Sequence, residues 1–370
     1  MNDSEFDIVI VGAGIAGAGL AAALGEGHRI VILEQEDRPG YHSTGRSAAI
    51  FIRNYGNAPI RSLTAASAPL FEELAAVSPA GPILSPRGLL YVSDASGLGA
   101  FDGLLAESDG LERIGLDAAL AMVPKLRSDW LAAAAYEQDA QDIDVAALHE
   151  LFLRRARAAG AVLKLGAGLT RAERRDGLWH VETAAGPVRG RVLVNAAGAW
   201  ADTVAVACGV PLVGLVPCRR SMAVLPGPED CDTRNWPLVA DVAERWYFKT
   251  DAGRLFVSPA DEDPVEPQDA FADDMVLAEG LDRFEQAVAI PVTRLERSWA
   301  GLRTFAPDRT PVVGYDRAAE GFFWLAGQGG YGIQTSPGLS ALAATLIRRE
   351  PPPAALQSIV PALSPDRFRS

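Results

Sequence analysis

The chain opens with FDIVIVGAGIAGAGLAAALGEGHRIVILE at residues 6–34, and this stretch decides the fold of the first part of the molecule. An apolar run, a small-residue run and a second apolar run predict a strand, a helix and a strand. Between the first two, Gly12 permits a tight turn, Gly14 lets backbone N–H groups approach a pyrophosphate, and Gly17 allows close helix–strand packing. Glu34 stands about 20 residues later, at the spacing of a carboxylate that binds a ribose hydroxyl. The stretch therefore predicts a dinucleotide-binding unit.

Composition limits the remaining possibilities. The 370 residues are 49% apolar, which supports one or two domains, and 34 basic against 47 acidic side chains give a net charge of −13. This charge argues against nucleic acid or an anionic membrane as the main partner. The cysteines form no C-x-x-C pair, which argues against a disulfide framework or a metal site. No stretch has transmembrane length, so we expect a cytoplasmic protein without an integral membrane segment.

The glycine fingerprint occurs once. GAGLTR at residues 166–171 lacks the third glycine, so the sequence indicates no second nucleotide domain through which NAD(P)H could deliver electrons. The reductant is then expected to be the substrate itself.

Three further segments are informative. The polar run PGYHSTGRSAAI at 39–50 suits contacts with a bound cofactor, and residues 169–195 predict a three-stranded meander that leads into VNAAGAW. Near the C-terminus, residues 321–347 predict a buried strand, a glycine turn and a second small-residue helix.

A second sheet is also predicted. Strand-like runs LVPCRRSMAVL, WYFKT, RLFVSP and RLERSWAG are joined by Asp, Gly and Pro turns, which favours antiparallel pairing. The acidic stretch 259–274 is predicted to be a solvent loop, with charges that serve solvation rather than metal binding, before a helix at about Met275 to Val288.

Together these segments resemble the D-amino-acid oxidase superfamily of FAD enzymes, in the branch typified by bacterial D-arginine dehydrogenase. The shared motifs occur in the family's order along nearly the whole chain: GAGIAGAG, PGYHSTGRSAA, LTAAS, LSPR, QDIDVAALH, VLVNAAGAW, RRS, YFKTDAG, WAGLR and AGQGGYGIQTS. The resemblance implies an α/β two-domain fold. A Rossmann-like FAD-binding domain would comprise residues 1–82, 142–212 and 302–370, and a substrate domain with a mixed or antiparallel sheet would comprise 83–141 and 213–301.

The resemblance also implies a chemistry. A hydride passes from the carbon that bears the amine to flavin N5, and the resulting imine is hydrolysed to a 2-oxo acid and ammonia. Arg220 and Arg303 are the expected forks for the substrate carboxylate, although either could instead form an internal ion pair. Tyr55 and Tyr247 are expected to position the substrate, and Tyr247 could alternatively be a sheet aromatic.

The cofactor contacts implied by the family pattern fall on the glycine turn, the polar run, VNAAGAW, WAGLR and the C-terminal turn. The helix that begins near Gly332 would place its positive end toward the flavin. His42 is expected to be neither a base nor a covalent tether, so FAD should be dissociable. His28, His149 and His180 are expected to be surface or helix residues. The implied cofactor residues are Gly12, Ala13, Gly14, Ile15, Ala16, Gly17, Glu34, Gln35, His42, Ser43, Thr44, Arg46, Ser47, Ala48, Ala49, Ala197, Gly198, Trp200, Gly301, Gly329, Gly330, Tyr331, Gly332, Ile333, Gln334 and Thr335.

Departures from the pattern indicate the substrate. Where arginine-specific relatives place a glutamate after LSPR, this chain has Leu89, and their pocket histidine and threonine are replaced by Ile50 and Ile52. A buried substrate cation would therefore lack a partner. Neutral, medium or large D-amino acids are expected to be better substrates than D-arginine. The implied substrate and catalytic site includes Gly330, Tyr331 and Gln334 as well.

Other functions are compatible with the sequence. The substrate could be a secondary amine, an N-alkyl amino acid, an amino alcohol or a D-2-hydroxy acid. A flavin monooxygenase and a noncatalytic FAD-binding subunit are weaker alternatives. The electron acceptor is open, either a quinone or oxygen, and a dehydrogenase is favoured over an oxidase. The oligomeric state is not predicted.

Overall fold

A computed structural model describes residues 5–369 of the chain. Its strands, in chain order, are β1 (Glu5–Val11), β2 (Ile30–Leu33), β3 (Ile50–Phe51), β4 (Leu84–Pro86), β5 (Leu89–Ser93), β6 (Glu112–Ile114), β7 (Ala133–Glu137), β8 (Gln141–Ile143), β9 (Val162–Lys164), β10 (Leu169–Arg175), β11 (Leu178–Thr183), β12 (Val188–Asn195), β13 (Val216–Pro226), β14 (Leu238–Asp241), β15 (Tyr247–Asp251), β16 (Arg254–Ser258), β17 (Arg297–Phe305), β18 (Val312–Tyr315) and β19 (Phe322–Ala326).

The α-helices lie between these strands and after them. They are α1 (Ile15–Leu24), α2 (Ala58–Ala76), α3 (Leu98–Glu107), α4 (Leu116–Met122), α5 (Val145–Ala158), α6 (Ala201–Ala207), α7 (Asp274–Ala287), α8 (Gly332–Arg348) and α9 (Val360–Leu363). Across residues 5–369 the helices are too short or too polar to cross a lipid bilayer.

The first sheet contains the dinucleotide unit. β1 pairs in parallel with β2 and with β12, and β19 pairs in parallel with β12. The carboxyl ends of β1, β12 and β19 therefore meet at one edge, where the glycine turn and the N-terminus of α8 follow. The predicted meander is present as β10, β11 and β12. Apolar side chains of β1, α1 and α8 form one core, and Ile10, Leu20 and Leu342 are fully buried there.

The second sheet has the strand order β17-β13-β16-β15-β14-β5-β7-β6. Its neighbours are antiparallel except for β5 and β14, which pair in parallel. Parallel pairing is possible because the chain leaves this sheet after β7, runs through the first sheet and returns at β13. The sheet is thus mixed, and α7 packs on it with Phe284 against Trp246 and Phe248.

A third sheet is small and separate from the other two. It consists of β3, β8 and β4, and its strands have only two or three residues. The chain segment that follows β3 carries Tyr55 toward the second sheet. The predicted boundary between residues 301 and 302 falls inside β17, which continues to Phe305. The division into two domains by residue number stays a prediction.

Candidate active site

The glycine turn after β1 has no space for side chains at two positions. Gly12 has φ +102°, and a Cβ atom there would lie 2.4 Å from the carbonyl oxygen of Ala196. A Cβ on Gly17 would lie 2.0 Å from the carbonyl oxygen of Gly12. Both distances are far below contact, so the close approach of α1, β1 and the end of β12 requires glycine here.

Glu34 ties the end of β2 to the glycine turn. Its Oε2 accepts a hydrogen bond from the Ala13 amide at 2.9 Å, and its Oε1 accepts one from the Glu36 amide at 3.1 Å. The side chain is buried but lines the cavity. A carboxylate held by two amides stays in place to accept from a ribose hydroxyl.

One long cavity starts at this turn and extends to the second sheet. Its lining includes most of the residues that the family pattern implied for the cofactor: Gly12, Gly14, Ile15, Ala16, Glu34, Gln35, His42, Ser43, Thr44, Arg46, Ser47, Ala48, Ala197, Gly198, Trp200, Gly301, Gly329, Gly330, Gly332 and Ile333.

Other predicted cofactor residues lie behind this lining. Ala13 and Gly17 shape the turn, and Ala49 has a left-handed φ of 43°. Thr335 is fully buried, and its hydroxyl donates to the Tyr331 carbonyl at 2.8 Å. Gln334 is also buried, and its side chain bonds the backbone of Ile52, the residue that follows β3, and the Thr64 hydroxyl rather than facing the cavity.

The polar run 39–50 closes one side of the cavity through tertiary hydrogen bonds. The Thr44 hydroxyl accepts from the Ile15 amide at 3.0 Å, and the Ser43 hydroxyl donates to the Leu302 carbonyl at 2.6 Å. Arg46 donates to the carbonyls of residues 270 and 300 at 2.9 and 3.0 Å and pairs with Asp269. Its guanidinium therefore holds the loop 259–273 against this run, instead of being free for a phosphate.

Two histidines stand beside the cavity. His42 Nε2 bonds a carboxylate oxygen of Glu36 at 2.8 Å, and its ring centroid lies 4.5 Å from that of Trp200. Its Nδ1 is buried and has no partner within residues 5–369. His149, for which the sequence indicated no role, is buried and its Nε2 lies 2.9 Å from the Ala13 carbonyl oxygen. Burial lowers the pKa of His149, which favours the neutral ring, and the contact with Ala13 stabilises the glycine turn.

These features fit a bound FAD. A glycine turn without side chains, a helix N-terminus and a buried acid at the end of β2 all line the same cavity, and the ring of His42 lines it as well. Gly12, Gly14, Glu34 and Thr44 would hold the nucleotide end, and the turn before α8 would meet the flavin end.

Arg303 lies at the other end of the cavity, on β17. Its Nη1 donates to the Tyr55 hydroxyl at 3.2 Å, and within residues 5–369 it forms no ion pair with a carboxylate. A guanidinium that lines a cavity without a counterion favours the binding of an anion there, because an uncompensated buried charge is costly. The internal ion pair considered for this residue is therefore absent from the described structure.

Arg220, unlike Arg303, forms an ion pair. Its Nη2 lies 3.3 Å from Oε2 of Glu262, and the other oxygen of Glu262 lies 2.6 Å from Nη1 of Arg309. The neighbouring Arg219 pairs with Asp261 and with a second acid of the same loop. The charges of loop 259–274, expected to serve solvation rather than metal binding, also form ion pairs with arginines of β13. The described residues contain no cluster of ligands suited to a metal ion.

Three tyrosines surround Arg303. The rings of Tyr55 and Tyr331 meet edge to face at 4.7 Å, and burial raises the pKa of Tyr331 to about 12. Tyr247 lines the cavity, whereas its chain neighbours Trp246 and Phe248 are buried on the opposite face of β15. The alternation along this strand therefore places the phenol of Tyr247 on the cavity side.

The three residues that distinguish this chain from arginine-specific enzymes lie together. Leu89 and Ile52 are almost completely buried, and Ile50 packs against the same cluster, as do Tyr55 and Tyr247. They form a continuous apolar wall against Tyr55 and Tyr247, and none of the three belongs to the described residues that line the cavity.

One acid behind this wall was missed by the sequence reading. Glu137 pairs with Leu89 across β5 and β7, and its carboxylate accepts from the Arg53 amide at 2.8 Å and from Asn54 Nδ2 at 3.1 Å. Burial raises its pKa, although these hydrogen bonds act in the opposite direction. The carboxylate thereby fixes the loop that carries Tyr55. This role could not be read from the sequence, because it depends on the pairing of β5 with β7.

Comparison with known proteins gives a consistent result. Residues 7–346 match the family model described as DAO, FAD dependent oxidoreductase. Human mitochondrial dimethylglycine dehydrogenase is 24% identical over 94% of this chain and 43% of its own length. The chain thus spans less than half of that relative and of its rat and mouse counterparts.

Solved structures share the fold. Glycine oxidase from Geobacillus kaustophilus superposes with a TM-score of 0.82 at 22% identity, covering 94% of this chain and 95% of that one. L-proline dehydrogenase from P.horikoshii superposes with a TM-score of 0.85 at 20% identity, covering 99% and 98%. The finer resemblance to D-arginine dehydrogenase stays a prediction. The family model covers most of the chain, and the protein therefore belongs to the DAO family of FAD-dependent oxidoreductases.

Proposed function

We propose that the protein oxidises the carbon–nitrogen bond of a neutral amino acid with one carboxylate, with D-amino acids as the preferred substrates and a 2-oxo acid and ammonia as products. The proposal rests on the surroundings of the Arg303 guanidinium. Its guanidinium faces the cavity, bonds Tyr55 and has no carboxylate partner within residues 5–369. An amino acid carboxylate supplies the missing anion and can accept two parallel N–H bonds.

The surrounding groups orient the substrate. A carboxylate held by Arg303 can also accept from the hydroxyls of Tyr55 and Tyr247, and three donors fix the position of the α-carbon. Bound FAD supplies the hydride acceptor at this carbon. The raised pKa of Tyr331 keeps that phenol protonated near neutral pH, so it acts as a packing and positioning group rather than a base.

The apolar wall sets the side-chain preference. Ile50, Ile52 and Leu89 offer no charge to a cationic side chain, and burial of an unpaired cation would cost several kcal/mol. An apolar substrate side chain instead gains about 25 cal/mol per Å² of buried surface. D-Leucine, D-methionine and D-phenylalanine are therefore proposed over D-arginine and D-lysine.

A second candidate is an N-alkyl amino acid. The relative named dimethylglycine dehydrogenase matches almost the whole chain, and such a substrate also presents a carboxylate to Arg303. Amino alcohols lack this carboxylate, so the site suits them less well. D-2-Hydroxy acids retain the carboxylate, so the flavin-reduction experiment below must distinguish them from amino acids as substrates.

The test is anaerobic reduction of the purified holoenzyme. Bleaching of the oxidised-flavin absorbance is followed with neutral D-amino acids, their L-enantiomers, D-arginine, N-methyl amino acids and D-2-hydroxy acids. We expect fast bleaching by neutral D-amino acids. A clear preference for D-arginine contradicts the wall argument, and faster bleaching by N-methyl amino acids selects the second candidate.

Two further outcomes concern the electron acceptor and the enzyme class. Slow reoxidation after air is admitted identifies the proposed dehydrogenase, whose acceptor would be a quinone, and fast reoxidation identifies an oxidase. A protein that retains FAD but is reduced by none of these compounds would be the noncatalytic subunit. Release of FAD on mild denaturation tests whether the cofactor is noncovalent, as proposed, and fractionation of cells tests the proposed cytoplasmic location.

A further inference from the structure

The carboxylate of Glu262 lies beside the substrate end of the cavity. It is held from two sides, by Arg220 Nη2 at 3.3 Å and by Arg309 Nη1 at 2.6 Å. Arg309 in turn stacks on Phe305, with 3.9 Å between its Cζ and the ring centroid. Burial alone would raise the pKa of Glu262, but the hydrogen bond from Arg309 and the charges of Arg309, Arg220 and Arg303 outweigh it, so the pKa is lowered and the group is an anion.

The strand register brings Arg220 and Arg303 to the same face. Arg303 pairs with Cys218, and Arg220 pairs with Gly301, on the antiparallel strands β13 and β17. Arg220 is therefore the diagonal neighbour of Arg303, at a distance of roughly 7–8 Å between backbones. Both side chains line the cavity. A substrate with two carboxylates could span such a pair if both guanidinium groups were free.

Only one of them is free. Arg220 forms an ion pair with Glu262, whereas Arg303 forms no ion pair with a carboxylate within residues 5–369. Arg220 Nε is buried and has no hydrogen-bond partner among the residues that the structure describes. A second substrate carboxylate that approached Arg220 would also approach the anion that already pairs with this guanidinium.

We propose that Glu262 is a specificity-determining residue that occupies Arg220 and thereby restricts the site to substrates with a single carboxylate. The inference rests on the proposed function, because it takes Arg303 as the anchor of the first carboxylate. Like charges brought together in a partly buried site disfavour binding, so acidic amino acids and imino diacids are excluded by repulsion rather than by size.

The test measures binding of inert acids to the FAD-loaded protein by calorimetry. Propanoate has one carboxylate, and succinate and glutarate have two. For the wild type we expect diacids to bind more weakly than propanoate. Glu262→Gln should raise diacid affinity about tenfold or more while changing propanoate affinity by less than about threefold. The variant Glu262→Asp retains the charge and should keep diacids out.

Glu266→Gln is the matched control, since Glu266 lies on the same loop and is exposed. It should leave both affinities unchanged. In turnover, Glu262→Gln should raise the ratio of kcat/KM for D-glutamate over D-leucine by a similar factor. The inference is overturned if Glu262→Gln leaves the diacid-to-monoacid ratio unchanged, or if Glu266→Gln shifts it equally.

The proposed function fails in a different way. Arg303→Gln should abolish propanoate binding, and retention of that binding would remove the carboxylate anchor, whatever Glu262 does. A wild-type protein that binds none of the acids overturns both ideas. Circular dichroism and flavin content of each variant show whether a lost affinity reflects a lost fold.

Discussion

A Cβ atom on Gly330 would lie 2.9 Å from Nη1 of Arg303 and 3.1 Å from its Cζ. The guanidinium therefore lies flat against the backbone of the glycine turn that precedes α8. This contact joins β17 of the second sheet to the first sheet at the point where the proposed carboxylate anchor meets the proposed flavin end of the cavity. The position of the anchor depends on the absence of a side chain at residue 330.

Gly330→Ala should weaken substrate binding without unfolding the protein. The atoms that an added methyl would meet belong to the flexible end of Arg303, so the guanidinium moves and the backbone does not have to. A displaced anchor should raise KM about tenfold or more, with flavin content unchanged. Steady-state kinetics with a neutral D-amino acid measure this. Gly99→Ala, where an added Cβ has no atom within 4 Å, is the control; an unchanged KM in Gly330→Ala would refute the contact's importance.

Arg303→Lys should lose much of the activity although the positive charge is kept. A lysine cannot form two parallel bonds to a carboxylate, and each bond to a charged group contributes about 1.5–3 kcal/mol. The expected decrease in kcat/KM is therefore roughly 10- to 150-fold. Arg297→Lys changes an exposed arginine on the same strand and should have little effect. Equal kinetics for the two variants would mean that Arg303 acts only as a charge.

The sequence predicts those parts of the fold that follow from local patterns. The first β-α-β unit, the meander and α7 lie where residue periodicity and turn residues indicate them, with shifts of a residue or so. The parallel pairing of β5 and β14 could not be predicted, because the two strands are separated by the return of the chain through the first sheet. The strands of the third sheet are too short to show an alternating pattern.

For the candidate site, the sequence indicated which residues take part, but it did not indicate which charged side chains form ion pairs. Arg220 and Arg303 appear equivalent in the sequence, and only the course of the loop 259–273 determines that Glu262 reaches one of them. His149 was similarly hidden, because a histidine on an amphipathic helix gives no sign that its ring meets a carbonyl of the glycine turn. Such contacts depend on tertiary packing between distant segments.

Gln334→Leu should destabilise the protein, because Gln334 satisfies the backbone of Ile52. Its Oε1 accepts from the Ile52 amide at 3.2 Å, and its Nε2 donates to the Ile52 carbonyl at 3.2 Å and to Thr64 Oγ1 at 2.8 Å. Leucine leaves these buried groups unpaired, at a cost of about 2–4 kcal/mol in the free energy of unfolding. Urea denaturation measures it. Gln357→Leu, at an exposed position, should stay within about 0.5 kcal/mol. Equal stability of the two variants would contradict the role given to Gln334.

The buried ring of His149 should make stability fall in mildly acidic solution. Burial lowers its pKa in the folded state, whereas in the unfolded chain it is about 6.5. Above that pH both states are neutral and the full stability is present. Below it the unfolded chain binds the proton first, so stability is lost as the pH decreases toward the folded pKa.

His149→Gln can still donate to the Ala13 carbonyl but cannot titrate. Thermal unfolding of the FAD-loaded protein between about pH 7.5 and about pH 5 should therefore show a smaller decrease in Tm for this variant than for the wild type. Acid should also release less FAD from His149→Gln than from the wild type, because the hydrogen bond to the Ala13 carbonyl stabilises the glycine turn. His28→Gln should retain the wild-type profile. If His149→Gln loses as much stability in acid as the wild type does, protonation of another group controls the transition.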